Sequence, residues 1–283
     1  MCQIFDDDGI MLDSNNIEFL SGQGSEFIVY KYFDLVIKTY KKDYKLSHLS
    51  LEEINVLKNI LTKRILLPIG TLWNSNHELI GYKMPYIGGV KPLESDSVET
   101  LFKELEILKQ DLDLLCENSI ILRDINLSNT IYNGNIYLID PGNYLTDGLE
   151  NIIFHTNIFN PSIIERLNKI LMEDGYDKVK CFIDSLSLEE KQNIIRSWNY
   201  NKINELIDML LFSNRSNIDP FKYRQIVQFI MKERDKNKFI YNLDVLKMYF
   251  DKSLSIGDAV DDFIKKYIVD DPKEKALFLS LYK

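Results

Sequence analysis

Apolar and polar positions change period several times along the chain, and each change marks an element. Ile17 to Leu20, Phe27 to Tyr32 and Leu35 to Tyr40 are β-branched and aromatic runs divided by turn residues, which predicts three strands. Leu51, Ile54, Leu57 and Leu61 then recur at gaps of three and four, the stripe of a helix, and Ser50 with Glu53 is a capping-box signature at its start. Leu66 to Trp73 and Leu79 to Met84 read as two more strands around the polar turn Asn74 to His77, completing a five-stranded antiparallel sheet. After Pro85-Tyr86-Ile87-Gly88-Gly89 the period becomes helical. Leu101, Phe102, Leu105, Leu108, Leu112 and Leu115 make one stripe, and Ile163, Ile164, Leu167, Ile170 and Leu171 make another behind Asn160-Pro161. Ser187 and Glu190 cap a further run through Ile194, Ile195 and Trp198, then Ile203, Leu206, Ile207, Leu210 and Leu211; Asp219-Pro220 and Asp271-Pro272 mark later helix starts. Only Thr130 to Tyr132 and Asn135 to Ile139 break the helical series, as a predicted hairpin around Asn133-Gly134.

Composition narrows the function classes. With 283 residues, 45% of them hydrophobic and 12% aromatic, the chain is long and apolar enough for a sizeable core. A net charge of −9 without a basic patch argues against nucleic acid as a partner. Cys2, Cys116 and Cys181 contain no CxxC pair, and His48, His77 and His155 are scattered, so neither a disulfide framework nor a zinc site is expected. Asp6, Asp7 and Asp8 stand where a signal peptide would need a basic and then an apolar run, and no membrane segment is apparent, so the expected compartment is the cytoplasm. The acids between Asp251 and Asp262 lack EF-hand order and read as a solvated face.

Candidate chemistry gathers at the hairpin. Counting outward from a two-residue turn, Tyr132 faces Asn135 and Asn129 faces Leu138, so Asn129 and Asp140 leave the open end about two residues, or roughly 6 to 7 Å, out of step. Two oxygen ligands at that distance can share one or two hard cations. Asp124, five residues before Asn129, lies in the loop that enters the hairpin and can face the same point. Earlier in the chain, Ser21-Gly22-Gln23-Gly24-Ser25 joins two strands; such a turn lets backbone N–H groups approach phosphates, although a plain hairpin also fits. Lys38 lies on a strand read as buried, where an ammonium needs a partner.

At these residues the chain resembles the protein kinase-like superfamily. Leu122-Arg123-Asp124 followed by Asn129 is similar to the H-R-D-x-x-x-x-N catalytic loop, with Leu122 in place of His. Asp140-Pro141-Gly142 resembles D-F-G with Pro141 in place of Phe, and Val36-Ile37-Lys38 resembles V-A-I-K. Gly22 and Gly24 match the Gly-rich loop, with Phe27 where a third Gly is usual.

The resemblance implies an α+β, bilobal protein kinase-like fold: residues 1–86 as a small antiparallel sheet with one main helix, residues 87–283 as a mostly helical lobe. It implies ATP and Mg2+, or Mn2+ in its place, as cofactors. Asp124 would be the catalytic base or hydroxyl orienter, Asn129 and Asp140 the metal ligands, and Lys38 the phosphate ligand paired with Glu53, with Glu52 as its substitute. Val29 would cover the adenine, Met84 would be the gatekeeper or a simple core Met, and Pro85 C=O and Ile87 N–H would pair with the adenine edge. The implied activity is a kinase, a phosphotransferase acting on a protein Ser/Thr/Tyr or a small-molecule hydroxyl. Two alternatives stay open: a pseudokinase or interaction module, and a kinase-fold nucleotidyl transferase of AMPylation type, which Asn126 keeps possible where Ser/Thr kinases carry Lys. No A-P-E and no D-x-W-x-x-G helix follows Gly142, and the short interval to the next helix argues against a conventional peptide cradle.

Overall fold

The computed structural model describes residues 3–20, 27–41, 48–92, 98–139, 148–156, 158–213, 220–237 and 240–251. Met1–Asn214 forms one compact unit and Arg215–Lys283 a second.

The first unit opens with the five-stranded sheet. Its strands are β1 (Ile17–Phe19), β2 (Phe27–Tyr32), β3 (Leu35–Tyr40), β4 (Gly70–Trp73) and β5 (Leu79–Pro85), in spatial order β1-β2-β3-β5-β4 with every pair antiparallel. Helix α1 (Leu51–Leu57) connects β3 to the β4 edge. Ile37 and Leu72 on one sheet face are fully buried beneath Ile4 and Leu12. The acidic lead is thus part of the fold: Phe5 exchanges two backbone hydrogen bonds of 2.8 Å with Trp73, and Asp7 accepts from both the N–H and the hydroxyl of Thr71. Lys83 lies 3.6 Å from Asp6 and 3.5 Å from Asp7.

Two predicted elements fall short of their apolar runs by several residues, while β1 and the second hairpin strand lose only one residue at an end. Helix α1 ends at Leu57, and Leu61 at the end of its stripe is 87% exposed. Leu66 and Leu67 are buried but not in a strand: Leu66 N–H donates to the Leu138 carbonyl at 2.8 Å and Pro68 has no N–H, while just before them Lys63, Arg64 and Ile65 donate their N–H groups to one carboxylate oxygen, Asp111 Oδ2, at 2.8, 2.5 and 3.0 Å. The predicted strand starts only at Gly70.

Asp111 belongs to α2 (Val98–Glu117), whose Leu108, Leu112 and Leu115 are fully buried. The hairpin β6 (Thr130–Tyr132) and β7 (Ile136–Leu138) follows. Helices α3 (Leu149–Ile153), α4 (Pro161–Glu173), α5 (Val179–Ser185) and α6 (Leu188–Ser213) complete this unit around a core that includes Ile121, Ile152, Ile163, Phe182 and Ile194. The runs before and after Trp198 are one 26-residue helix. In the second unit α7 (Pro220–Lys236) starts at the proline read as a helix start, and α8 (Asn242–Asp251) follows; Asp271-Pro272 lies outside the described residues.

Candidate active site

Strand register fixes the sheet side of the site. Val29 lies directly across from Lys38, Lys38 from Tyr82, and Val36 from Met84. Facing residues of an antiparallel pair project to the same side, so Val29, Lys38 and Tyr82 share one sheet face, and Val36 and Met84, two residues along their strands, share it too. Lys38 is only 6% exposed, and its Nζ sits 5.2 Å from the ring centre of Phe27 and 5.9 Å from that of Tyr82. Aromatic faces stabilise a desolvated ammonium through the ring quadrupole. Phe27, which occupies the third-Gly position of the resemblance, therefore forms part of the lysine's wall. The close approach of β5 also depends on Gly81, where a Cβ would lie 1.9 Å from the carbonyl oxygen of Lys38.

Glu53 is placed by its helix cap. Ser50 N–H donates to Glu53 Oε2 at 2.7 Å and Glu53 N–H donates to Ser50 Oγ at 3.2 Å, the full capping box. No ion pair joins Glu53 or Glu52 to Lys38 among the described residues. The other oxygen, Glu53 Oε1, is buried without a hydrogen-bond partner. Burial and the neighbouring Glu53 push the Tyr40 phenol well above its usual range, and Tyr40 donates its O–H to the Leu49 carbonyl at 2.8 Å.

At the sheet exit, Tyr86 N–H donates to the Asp34 carbonyl at 2.8 Å. Within the trans peptide this turns the Pro85 carbonyl to the opposite side, away from β3. Ile87 follows one residue later, outside any strand.

The loop side of the site is built on α6 and the hairpin. Asn199, fully buried on α6, accepts from Leu122 N–H at 2.9 Å and donates to the Ile120 carbonyl at 2.9 Å, while Trp198 Nε1 donates to the Leu122 carbonyl at 2.5 Å. Two adjacent residues thus hold both polar groups of Leu122, two positions before Asp124. Asp124 is exposed; its Oδ1 accepts from Asn126 Nδ2 at 2.5 Å and its Oδ2 from Asn129 Nδ2 at 2.9 Å, and Asn129 Nδ2 also reaches the Asp124 carbonyl at 3.0 Å. Arg123 runs past Gly148, where a Cβ would lie 2.7 Å from its guanidinium.

The hairpin register differs from the two-residue expectation. Tyr132 pairs with Ile136, not Asn135, because Asn133-Gly134-Asn135 forms a three-residue loop with Gly134 at φ 108°. Asn129 therefore stands opposite Ile139, whose N–H it accepts at 2.9 Å, and Asp140 is the next residue. Asp140, Pro141 and Gly142, like Gly22 and Gly24, lie outside the described residues. Among the described residues no group of three or more His, Cys, Asp or Glu could hold a metal ion, and no helix is long and apolar enough to cross a membrane.

Asn199 and Trp198 were identifiable only as a polar residue beside an aromatic within an apolar helix run. Gly81 carried a clearer signal, as a glycine inside a strand pattern.

No family model matches the sequence, and no curated protein does. Among solved structures, one crystal structure of the PknI kinase domain of Mycobacterium tuberculosis is similar at 16% identity and a TM-score of 0.36, covering 45% of this chain and 60% of that one. A second structure of the same domain gives 13%, 0.34, 45% and 59%. The chain thus spans about three fifths of the length of those domains. Its own architecture is α+β: a β1-β2-β3-β5-β4 antiparallel sheet with α1 between β3 and β4, then a mostly helical part carrying the Asp124 loop and its hairpin, the order of elements that the resemblance implied.

Proposed function

We propose that the protein is an ATP- and Mg2+-dependent phosphotransferase that acts on a protein Ser, Thr or Tyr, or on a small-molecule hydroxyl. The observation that carries this reading is the Asp124–Asn129 pair: a carboxylate at a loop surface, oriented by the amide at the mouth of a hairpin. In this reading Asp124 accepts the proton of the acceptor hydroxyl. The hydroxyl oxygen bonds to the γ-phosphorus as the bond from that phosphorus to the β,γ-bridging oxygen breaks, and ADP leaves. Gly22, Gly24 and Lys38 hold the nucleotide's phosphates, and Val29, Met84, Pro85 and Ile87 its base. Residues 87–283 present the base and the metal ligands. Asn129 and Asp140 would hold Mg2+ or Mn2+, which neutralises phosphate charge when bound. An oxygen-only donor pair suits a hard cation, and because Asn129 Nδ2 is committed to Asp124, Oδ1 is the atom this side chain brings to it.

A specific observation supports a second reading, a binding module without chemistry: the Glu53 carboxylate serves its helix cap and forms no ion pair with Lys38 among the described residues. Incubation with Mg2+ and ATP labelled separately at the α and γ positions separates these readings. Transfer of the γ label alone is expected. Transfer of the α label would mean nucleotidyl transfer. Neither label, together with an unfolding midpoint that nucleotide does not raise, would leave the interaction module.

A further inference from the structure

Asn126 is half-buried, and every polar group of its side chain is engaged. Its Oδ1 accepts the N–H of Asn129 at 3.1 Å and the hydroxyl of Ser128 at 2.5 Å, which caps the 3-10 turn Leu127–Asn129. Its main-chain carbonyl accepts the Thr130 hydroxyl at 2.8 Å. With the oxygen end held twice, the plane of the amide is set, and Nδ2 is delivered to Asp124 Oδ1 at 2.5 Å. Asn129 Nδ2 occupies the other carboxylate oxygen at 2.9 Å.

We infer that Asn126 is a positioning residue: it and Asn129 clamp the two oxygens of Asp124 between neutral amide donors and fix the direction in which the carboxylate meets an acceptor hydroxyl. The inference rests on Asp124 being the proton acceptor proposed above. Rotation of the carboxylate about its Cβ–Cγ bond would break both hydrogen bonds together, so the clamp selects one orientation. A neutral amide achieves this without adding a cation beside the base. The competing explanation is that Asn126 only caps the turn. Capping uses the acceptor oxygen alone, and Asp or Ser serves as well as Asn in that role. The Nδ2 bond to Asp124 lies outside that requirement.

Asn126→Ser distinguishes the two roles, since it keeps a capping acceptor but is too short to donate to Asp124 and adds no charge. The unfolding midpoint and the KM for ATP should stay near wild type, while kcat falls about ten- to a hundredfold, the worth of one hydrogen bond to a charged group. Wild-type kcat in Asn126→Ser, with Asp124→Asn inactive in parallel, would overturn the clamp. Absence of any Asp124-dependent transfer in the wild type would overturn the phosphotransferase reading and the positioning role with it. A readout independent of turnover is the side-chain amide resonance of Asn126 in 15N-labelled protein. It should move on Asp124→Ala, a substitution at an exposed side chain, and stay still on Glu52→Ala, also exposed and outside the loop. An Asn126 amide resonance indifferent to Asp124 would refute the contact.

Discussion

Replacing Asn199 by Leu isolates the contribution of α6 to the loop that carries Asp124. The side chain is 0% exposed and binds two buried backbone groups, Leu122 N–H and Ile120 C=O, besides the Cys116 sulfur at 3.4 Å. Leu has a similar volume but no polar atoms, so both backbone groups lose their partner. Each orphaned group costs about 1 to 3 kcal/mol, and the added apolar burial returns about 1 to 2 kcal/mol, for a net loss of about 1 to 4 kcal/mol. In a unit of this size that lowers the melting midpoint by about 2 to 16 °C. Thermal scans and urea titrations at unchanged m-value measure it. Cys116 offers a local reporter: burial pushes its thiol up to about 11, so it should resist alkylation at neutral pH in the wild type and gain reactivity if the loop lifts from α6. A midpoint within about 1 °C of wild type, with Cys116 still inert, would refute the claim that Asn199 holds the loop.

Gly81→Ala should cost at least about 2 kcal/mol, because the new Cβ would lie 1.9 Å from the backbone oxygen of Lys38; a urea midpoint unchanged from wild type would show that β5 shifts freely. Burial works against the charge of Asp7, but hydrogen bonds from Thr71 and the charge of Lys83 outweigh it and hold the carboxyl below its ordinary value of 3.8. The stability this adds is full above 3.8, shrinks as the pH falls below it and vanishes once the folded value is passed, so Asp7→Asn should be less stable than wild type at neutral pH by a margin that closes on acidification. A margin independent of pH would sink that assignment. Asp124→Asn should retain nucleotide affinity and lose most turnover, whereas Asp140→Ala should lose both transfer and the metal-dependent part of nucleotide binding, as measured by calorimetry with and without Mg2+.

Strand positions were legible wherever side-chain alternation and turn residues agreed: β2 and β3 have the bounds expected from their apolar runs. Positions set by long-range polar contacts were not. Leu66 to Ile69 lies in an apolar run, but Leu66 N–H is taken by Leu138, some 70 residues later in the chain, and Pro68 has no N–H to offer a ladder. The hairpin loop gained a residue because Asn133 Oδ1 accepts the Asn135 N–H, a local contact that competes with the two-residue turn. Glu53 shows how two sound readings of the same residue diverge. The capping box needs only neighbours in sequence, whereas an ion pair with Lys38 requires α1 to sit at one particular distance from β3. The spacing put Asp124 and Asn129 at the same end of the hairpin, but the support that Asn199 gives their loop was hidden in a helix whose polar residues do not advertise which way they face.

The three N–H groups gathered on Asp111 also determine where α1 can pivot. The link that leaves α1 is fastened at Lys63–Ile65 to α2, and Leu138 on β7 adds two backbone bonds of 2.8 Å, to the carbonyl of Arg64 and from the N–H of Leu66. These five bonds tie that end of the link to α2 and β7. A pivot of α1 about Lys63–Ile65 would sweep its opposite end, where Glu53 and its cap sit, through the widest arc. The distance between Glu53 and Lys38 would report such a pivot, readable by spin labels on α1 and β3.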